Sequence, residues 1–212
     1  MSVLVQSLPH LLRGAVSTLA LAAAVLAVGT ALGLAVGLLR VLPGRAGTVV
    51  GGAVELVRAV PLLLLLFFIF FGLPALGVRI PTFPAAVLAM SLWMAANTAE
   101  VVRGGVQSIS RGQFEAARSL GLGWASTMRF VILPQATRRM LPPFVGLCTI
   151  LVKDTSLAAI IGVFELTRAA QETIERTLRS FEIYGAAAAM YFALCFPLTR
   201  LAARLETRLG RP

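Results

Sequence analysis

The chain has 212 residues, of which 58% are hydrophobic and only 13% are charged. Soluble domains have about 45–50% apolar and about 25% charged residues, so this composition excludes an ordinary soluble domain. The apolar residues form runs close to the ~20 residues that a helix needs to cross a bilayer. The net charge of +10 is distributed over the ends of these runs, whereas nucleic-acid binding requires a clustered basic face. We therefore expect an all-α polytopic membrane protein that does not bind nucleic acid.

Three features of the sequence predict that the chain has no disulfide framework, no metal site and no cleavable signal peptide. Cys148 and Cys195 both lie in apolar runs, which indicates buried thiols and not a disulfide framework. His10 has no second ligand-type residue near it, so we predict no metal site. Residues 1–9 carry no positive charge, and the first apolar run is longer than the core of a signal peptide. We interpret that run as a retained transmembrane helix.

Five apolar runs predict about five transmembrane helices in a single domain that covers residues 1–212. The predicted spans cover roughly residues 15–39, 49–71, 83–102, 144–164 and 183–203, and a polar loop covers roughly residues 103–140. Pro61 lies inside the second span, where a proline bends a helix. Apolar residues then recur at helical spacing between residues 165 and 182, which predicts a helix along the membrane surface. These residues are Leu166, Ala170, Ile174, Leu178 and Phe181.

The positive charges predict the orientation of the chain. An odd number of spans places the termini on opposite sides, and Lys/Arg residues are more frequent on the cytoplasmic side. Five arginines fall on the amino-terminal side and twelve on the other, with Arg58 and Lys153 inside the membrane. The five are Arg13, Arg79, Arg168, Arg176 and Arg179, and the twelve are Arg40, Arg45, Arg103, Arg111, Arg118, Arg129, Arg138, Arg139, Arg200, Arg204, Arg208 and Arg211. The amino terminus is therefore predicted outside, and the carboxyl terminus and the polar loop in the cytoplasm.

The polar loop contains a short predicted helix with signals at both ends. Ser110 and Gln113 fit a capping box, and Glu115 falls in the predicted first turn, where the helix dipole favours a negative charge. Gly121 ends the predicted helix. Its composition alone is that of a short amphipathic helix lying on the bilayer.

The spacing within this loop favours a different interpretation, because it resembles the EAA loop of the permease subunits of ABC importers. Glu115-Ala116-Ala117 is followed by Gly121 and, further on, by Leu133-Pro134, in the order of that motif. In that family the helix couples closure of the ATPase to movement of the spans. The resemblance implies that the residues coupled to the ATPase are Glu115, Ala116, Ala117, Gly121, Leu133 and Pro134.

Other motifs resemble the subfamily of permeases for polar amino acids such as histidine, glutamine, arginine and glutamate. The second span carries its E-x-x-R-x-x-P-L-L, which begins at Glu55, and the third carries A-E-x-x-R-G-G, which begins at Ala99. The fourth carries K-D-T-S-L, which begins at Lys153 and is followed by Glu165-Leu166. Glu55 and Arg58 lie three residues apart on one helix face, which predicts a structural pair, and Pro61 beside them is a candidate hinge.

Lys153 and Asp154 fall near the middle of the predicted fourth span. A central charge there costs about 2.5–3.5 kcal/mol, and adjacent residues on a helix do not face each other, so each needs a separate partner. A zwitterionic amino acid supplies both complementary charges, whereas a structural network with Glu100 or with a second permease is the alternative. The candidate substrate or pore residues are Glu100, Lys153, Asp154, Thr155, Ser156 and Glu165.

The chain lacks the G-x-x-x-x-G-K-[ST] loop that binds nucleotide phosphates, since its only lysine is Lys153 in a different context. We therefore expect a non-catalytic subunit that binds no cofactor, with ATP and Mg²⁺ on a separate ATPase. The resemblance implies a multi-pass permease of the bacterial cytoplasmic (inner) membrane that imports a polar amino acid by alternating access.

The partners that the resemblance implies are two copies of an ATPase, an identical or related second permease, an extracytoplasmic solute-binding protein and membrane lipid. In that setting the surface helix is either an interfacial connector or a lip over the pore that meets the solute-binding protein. Two alternatives from other classes stay open, namely a non-transporting scaffold that anchors a cytoplasmic partner and an ion-driven carrier.

Overall fold

The computed structural model describes residues 3–209, and helices form nearly all of this part of the chain. The α-helices are α1 (Val3–Arg40), α2 (Arg45–Ala59), α3 (Leu62–Phe67), α4 (Leu73–Ala75), α5 (Thr82–Gln107), α6 (Arg111–Ser119), α7 (Trp124–Thr127), α8 (Leu133–Asp154), α9 (Leu166–Thr177) and α10 (Ser180–Leu209). A π-helical segment, Phe68–Gly72, joins α3 to α4, and another, Met128–Ile132, joins α7 to α8. A 3₁₀ segment, Thr155–Ile161, continues α8. Arg211 and the two ends of the predicted domain lie outside the described residues.

Four helical segments of the described chain are long and apolar enough to cross a membrane. They are Val3–Arg40, Thr82–Gln107, Trp124–Ile161 and Ser180–Leu209, and the bent pair of Arg45–Ala59 with Leu62–Ala75 adds a fifth if it crosses once. The all-α polytopic fold class predicted from the sequence is confirmed.

The packing of α1 against α5 indicates that the bent pair does cross. A Cβ atom added to Gly29 would touch Met94, and one added to Gly37 would touch Val102. An advance of eight residues along α1 therefore matches eight along α5, so the two helices run parallel. Because parallel helices start on the same side of the membrane, the chain between them must return across it. By the same reasoning α10 runs parallel to α1, since Ile183 packs near Leu11 and Cys195 near Ala22.

The second span is broken at Pro61, so the predicted bend is confirmed. The axes of Arg45–Ala59 and Leu62–Ala75 differ by 94°. Proline has no N–H to donate and its ring clashes with the preceding turn, and it forces the residue before it into extended backbone. Val60 accordingly has φ −87° and ψ 128°.

The fourth membrane helix begins earlier than predicted, because the last part of the polar loop is also helical. Residues 124–161 form one nearly continuous helical segment, whereas hydropathy marks only the part that lies in the bilayer. Lys153 and Asp154 are the last two residues of α8. Gly162, with φ 86°, ends the segment.

The surface helix is shorter than predicted. Leu166 and Ala170 are buried as expected for its inner face, but α9 ends at Thr177 and Leu178 has φ 56°. Phe181 belongs to the first turn of α10 and is 94% exposed. The helical spacing of the apolar residues continues across this break by coincidence, so the prediction of one helix through residue 182 is wrong.

Candidate functional site

Helix α6 lies between α5 and α7, and most of its surface is free within this chain. Glu115 and Ala116 are exposed, whereas Ala117 is buried. The helix ends as predicted at Gly121, which has φ 73°, a conformation that glycine adopts without steric cost. Its N–H donates to the Arg118 carbonyl at 2.9 Å, and the Leu122 N–H donates to the Ala117 carbonyl at 3.0 Å. These two bonds form a helix cap of the Schellman type.

The beginning of α6 differs from the prediction. The Ser110 side chain makes no capping hydrogen bond, so the predicted capping box is wrong. The Gln113 side chain instead accepts a hydrogen bond from Gln135 Nε2 of α8 at 3.1 Å, and this tertiary contact replaces the local one. Because α6 begins at Arg111, Glu115 is its fifth residue and lies outside the first turn.

The base of α6 is fixed to two membrane helices. Ile109 and Ile132 are buried in one apolar cluster that Phe114 also contacts, and Arg139 Nη1 donates to the Ser108 carbonyl at 2.6 Å. Leu120, at the far end of the loop, is 79% exposed. The helix is therefore anchored at its base and presents a free tip. At the start of α8, Leu133 is half-buried and Pro134 is exposed.

A network of five charged side chains joins the ends of α1, α2 and α5. Arg40 Nη1 donates to Glu100 Oε2 at 2.7 Å, and Arg40 Nη2 donates to Glu55 Oε1 at 2.6 Å. Arg58 Nη1 is 3.2 Å from both oxygens of Glu55 and 3.4 Å from Glu100 Oε2, and Arg103 also pairs with Glu100. The predicted contact between Glu55 and Arg58 is present, next to the break at Pro61.

Sequence reasoning assigned neither Arg40 nor Arg103 to a site, although both pair with Glu100 in this network. Arg40 was interpreted only as the charge that ends the first span, yet its side chain is 9% exposed and connects two carboxylates. The structure does not bring Glu100 to Lys153. Glu100 contacts Arg40, the last residue of α1. Lys153 lies elsewhere, directly after a residue that is buried in a cluster with Ala22 and Cys195.

Lys153 and Asp154 lie where α8 changes into the 3₁₀ segment. Lys153 is exposed and Asp154 is half-buried. Within residues 3–209 neither side chain makes a hydrogen bond or an ion pair, whereas Thr155 and Ser156 donate to backbone carbonyls at 2.8 and 2.7 Å. The two charges that the sequence singled out are therefore free to meet a group outside this chain.

Glu165 has a different environment, since it is completely buried. Its carboxylate accepts hydrogen bonds from Tyr191 Oη at 2.6 Å, from the Arg168 N–H at 2.7 Å and from Thr18 Oγ1 at 3.4 Å. Burial raises the pKa of Glu165 above its usual range, and these hydrogen bonds partly oppose that shift. Glu165 thus faces three helices of this chain and not an open surface.

Sequence reasoning did not identify Thr18 and Tyr191. Both are polar residues within long apolar runs, and such residues commonly form hydrogen bonds between membrane helices. Thr18 lies 22 residues before Arg40 on α1, or about 33 Å of helix. The cluster around Glu165 and the charge network around Glu100 are therefore separate sites, far apart along α1.

The chain is similar to permease proteins of known transport systems. The chain is 41% identical over 206 residues to the glutamine transport system permease protein GlnP of Escherichia coli (strain K12), which covers 96% of this chain and 94% of that protein. It is 42% identical over 159 residues to the L-cystine transport system permease protein TcyB of Bacillus subtilis (strain 168), over 74% and 68% of the two chains.

A solved amino acid ABC transporter with histidines has a chain that superimposes on this one with a TM-score of 0.91 at 34% identity. The superposition covers 97% of this chain and 96% of that one. Residues 29–211 match the family described as binding-protein-dependent transport system inner membrane component. The chain therefore belongs to this family of inner membrane transport components.

Proposed function

We propose that this chain is the translocation subunit of an ABC importer that carries a polar amino acid or a close derivative across the bacterial cytoplasmic membrane. The observation that carries the proposal is the family match over residues 29–211, which includes the exposed helix α6. Relatives named for glutamine and L-cystine support an amino acid as the substrate. Family membership favours an importer over a scaffold or an ion-driven carrier.

The importer contains further subunits in this proposal. Two copies of an ATPase bind ATP and Mg²⁺ on the cytoplasmic side, and this chain contributes no catalytic residue to hydrolysis. A second permease, identical or related, completes the pore, and an extracytoplasmic solute-binding protein delivers the substrate. Residues 1–212 form one translocation domain, with the amino terminus outside and α6 in the cytoplasm, as the excess of arginines on the α6 side supports.

Helix α6 passes movement of the ATPase to the membrane helices. Its exposed face, with Glu115 and Ala116, contacts the ATPase. Its first turn is tied to α8 through the bond from Gln135 to Gln113, and the adjoining end of α5 is tied to α8 through the bond from Arg139 to Ser108. A displacement of α6 therefore moves the cytoplasmic ends of both helices together. The break at Pro61 allows α2 and α3 to change their angle while the charge network keeps α2 beside α1 and α5. Alternating access follows from these two movements.

Lys153 and Asp154 are the proposed contacts for the substrate. A zwitterionic amino acid offers a carboxylate to the ammonium group of Lys153 and an ammonium group to the Asp154 carboxylate. Charged residues within membrane segments mark substrate pathways in many transporters, and neither side chain is paired within the described chain. Asp154→Asn should weaken transport of the amino acid while leaving assembly with the ATPase intact. Unchanged uptake and affinity in this variant would exclude the role.

ATPase activity in a reconstituted complex tests the proposal. The chain, its ATPase and any second permease are placed in lipid nanodiscs, and ATP hydrolysis is measured with and without the solute-binding protein loaded with an amino acid. An importer hydrolyses ATP faster with the loaded protein than with the empty one. A scaffold binds the ATPase without this response, and an ion-driven carrier accumulates substrate in vesicles without any ATPase.

A further inference from the structure

Glu165 is the only charged residue among the described residues that is completely buried, and it lies where α1, α9 and α10 meet. A buried carboxylate loses its hydration and persists only where hydrogen bonds replace it. Three donors from three parts of the chain surround this one. Such an arrangement fixes the positions of the helices that supply the donors. If one of these helices moved away, the carboxylate would lose a hydrogen bond and remain buried without a replacement.

The first contact of Glu165 is with its own helix. Glu165 is the N-cap residue of α9, and its Oε1 accepts from the Arg168 N–H at 2.7 Å. Among the helix starts of the described chain for which a cap is defined, this is the one with a side-chain capping bond. The carboxylate thereby satisfies an amide at the helix start that has no partner inside the helix.

The second contact ties α9 to α1. Thr18 Oγ1 accepts from the Leu166 N–H at 3.1 Å and donates to Glu165 Oε2 at 3.4 Å. Four residues earlier, a Cβ atom on Gly14 would lie 2.7 Å from Ala169 Cβ, so the two helices touch with no space for a larger residue. The close approach and the hydroxyl bonds act on the same turn of α9.

The third contact ties α9 to α10. Tyr191 Oη donates to Glu165 Oε2 at 2.6 Å and lies 3.0 Å from Thr167 Oγ1. The connections at both ends of α9 pass through left-handed residues, Gly162 with φ 86° and Leu178 with φ 56°. The chain therefore changes direction at both ends of α9.

We propose that Glu165 is a positioning residue that, with Thr18 and Tyr191, clamps α9 to the first and last spans so that α9 can receive the solute-binding protein. This inference rests on the proposed function, in which α9 lies on the outer side. The opposite face of α9 carries Glu175 and Arg176, which are exposed and suit contact with a soluble protein. A clamped α9 moves α1 and α10 when that protein docks, whereas an unclamped α9 would pivot.

The test compares variants of the complete reconstituted complex. Glu165→Ala removes the three hydrogen bonds that the carboxylate accepts, whereas Glu165→Gln keeps an acceptor for the Arg168 N–H and an amide that the two hydroxyl groups can accept from. We expect Glu165→Ala to raise the concentration of loaded binding protein that gives half-maximal ATPase stimulation by about tenfold or more. Glu165→Gln should restore this concentration to within about threefold of the value for the natural protein. A general loss of stability would not explain such a difference between the two variants.

Matched variants separate the clamp from a fault in folding. Thr18→Val and Tyr191→Phe each remove one hydroxyl of the clamp and should shift the same midpoint by about threefold to tenfold. Thr30→Val on α1 removes a buried hydroxyl that has no partner, and Tyr184→Phe on α10 removes an exposed one. Neither control should shift the midpoint. If Thr18→Val and Tyr191→Phe behave like their controls, the clamp is refuted even if Glu165→Ala fails to assemble.

Hydrogen exchange distinguishes failure of the clamp from failure of the proposed function. In Glu165→Ala the amides of α9 should exchange about tenfold faster or more than in Glu165→Gln. Equal exchange rates would overturn the clamp whatever the transport activity. A natural complex that shows no response to any loaded binding protein would overturn the proposed function, and the exchange result would then decide the clamp alone.

Discussion

The charge network at the end of α1 gives the sharpest prediction on stability. Arg40 is 9% exposed and donates to Glu100 and to Glu55. A hydrogen bond to a charged partner contributes ~1.5–3 kcal/mol, whereas the bond to Glu55, which is 55% exposed, contributes only ~0.2–1 kcal/mol because solvent screens it. Arg58 and Arg103 remain beside Glu100 after Arg40 is removed, so no unpaired buried charge results. Arg40→Met should therefore lower the free energy of unfolding by about 2–3 kcal/mol.

Unfolding in mixed micelles with increasing sodium dodecyl sulfate, followed by tryptophan fluorescence, measures this difference. Glu55→Gln is the companion variant and should cost less than about 1 kcal/mol. In a double-mutant cycle, Arg40→Met and Glu100→Gln together should cost less than the sum of the two single changes by about 1 kcal/mol or more. Equal costs for Arg40→Met and Glu55→Gln, together with additive effects in the cycle, would refute the assignment of Arg40 as the centre of the network.

Three further predictions concern backbone packing and protonation. Gly33→Ala would place a Cβ atom 2.5 Å from Thr98 Cβ and 2.7 Å from a backbone carbonyl, so it should destabilise the protein by about 1–3 kcal/mol. Gly52→Ala, which meets nothing within 4 Å, should be neutral or stabilising in the same unfolding assay. Gly121→Ala forces alanine into a left-handed conformation and should weaken co-purification of the ATPase and speed amide exchange in α6. Burial raises the pKa of Glu165, so the folded protein binds the proton of this carboxyl group more tightly than the unfolded protein does. Proton binding therefore stabilises the folded state at low pH, and this stabilisation is lost as pH rises through the raised pKa. The free energy of unfolding of Glu165→Gln relative to the natural protein should therefore increase with pH, and a difference that is constant or falls with pH would contradict the assignment.

The sequence predicts most of the membrane architecture because hydropathy and proline act locally. Apolar runs predicted where the spans lie, and Pro61 predicted where the bend lies, because both signals depend on a few adjacent residues. The helix end at Gly121 was predictable for the same reason. The helices between residues 124 and 140 were not predictable in this way, because hydropathy does not mark a helix that contains many polar residues.

Contacts between distant residues could not be predicted in this way. Arg40 and Glu100 are separated by 60 residues, and Thr18 and Glu165 by 147, so only the packing of α1 against its neighbours brings each pair together. The capping box at Ser110 failed for a related reason, since Gln113 found a partner on α8. A local signal predicts a local bond correctly only when no tertiary partner competes for the same side chain.

The central claim is that α6 transmits the work of the ATPase to the membrane helices, and ATP-driven uptake of a radiolabelled amino acid into proteoliposomes tests it most directly. Ala116 is exposed on α6, and Ala46 is exposed at the start of α2 on the same side of the bundle, so the two receive the same substitution by arginine. We predict that Ala116→Arg reduces uptake by about a hundredfold or more, as expected when a bulky charge enters a packed interface. Ala46→Arg should retain uptake within about twofold of the natural protein. Undiminished uptake by a correctly assembled complex that carries Ala116→Arg would contradict the claim.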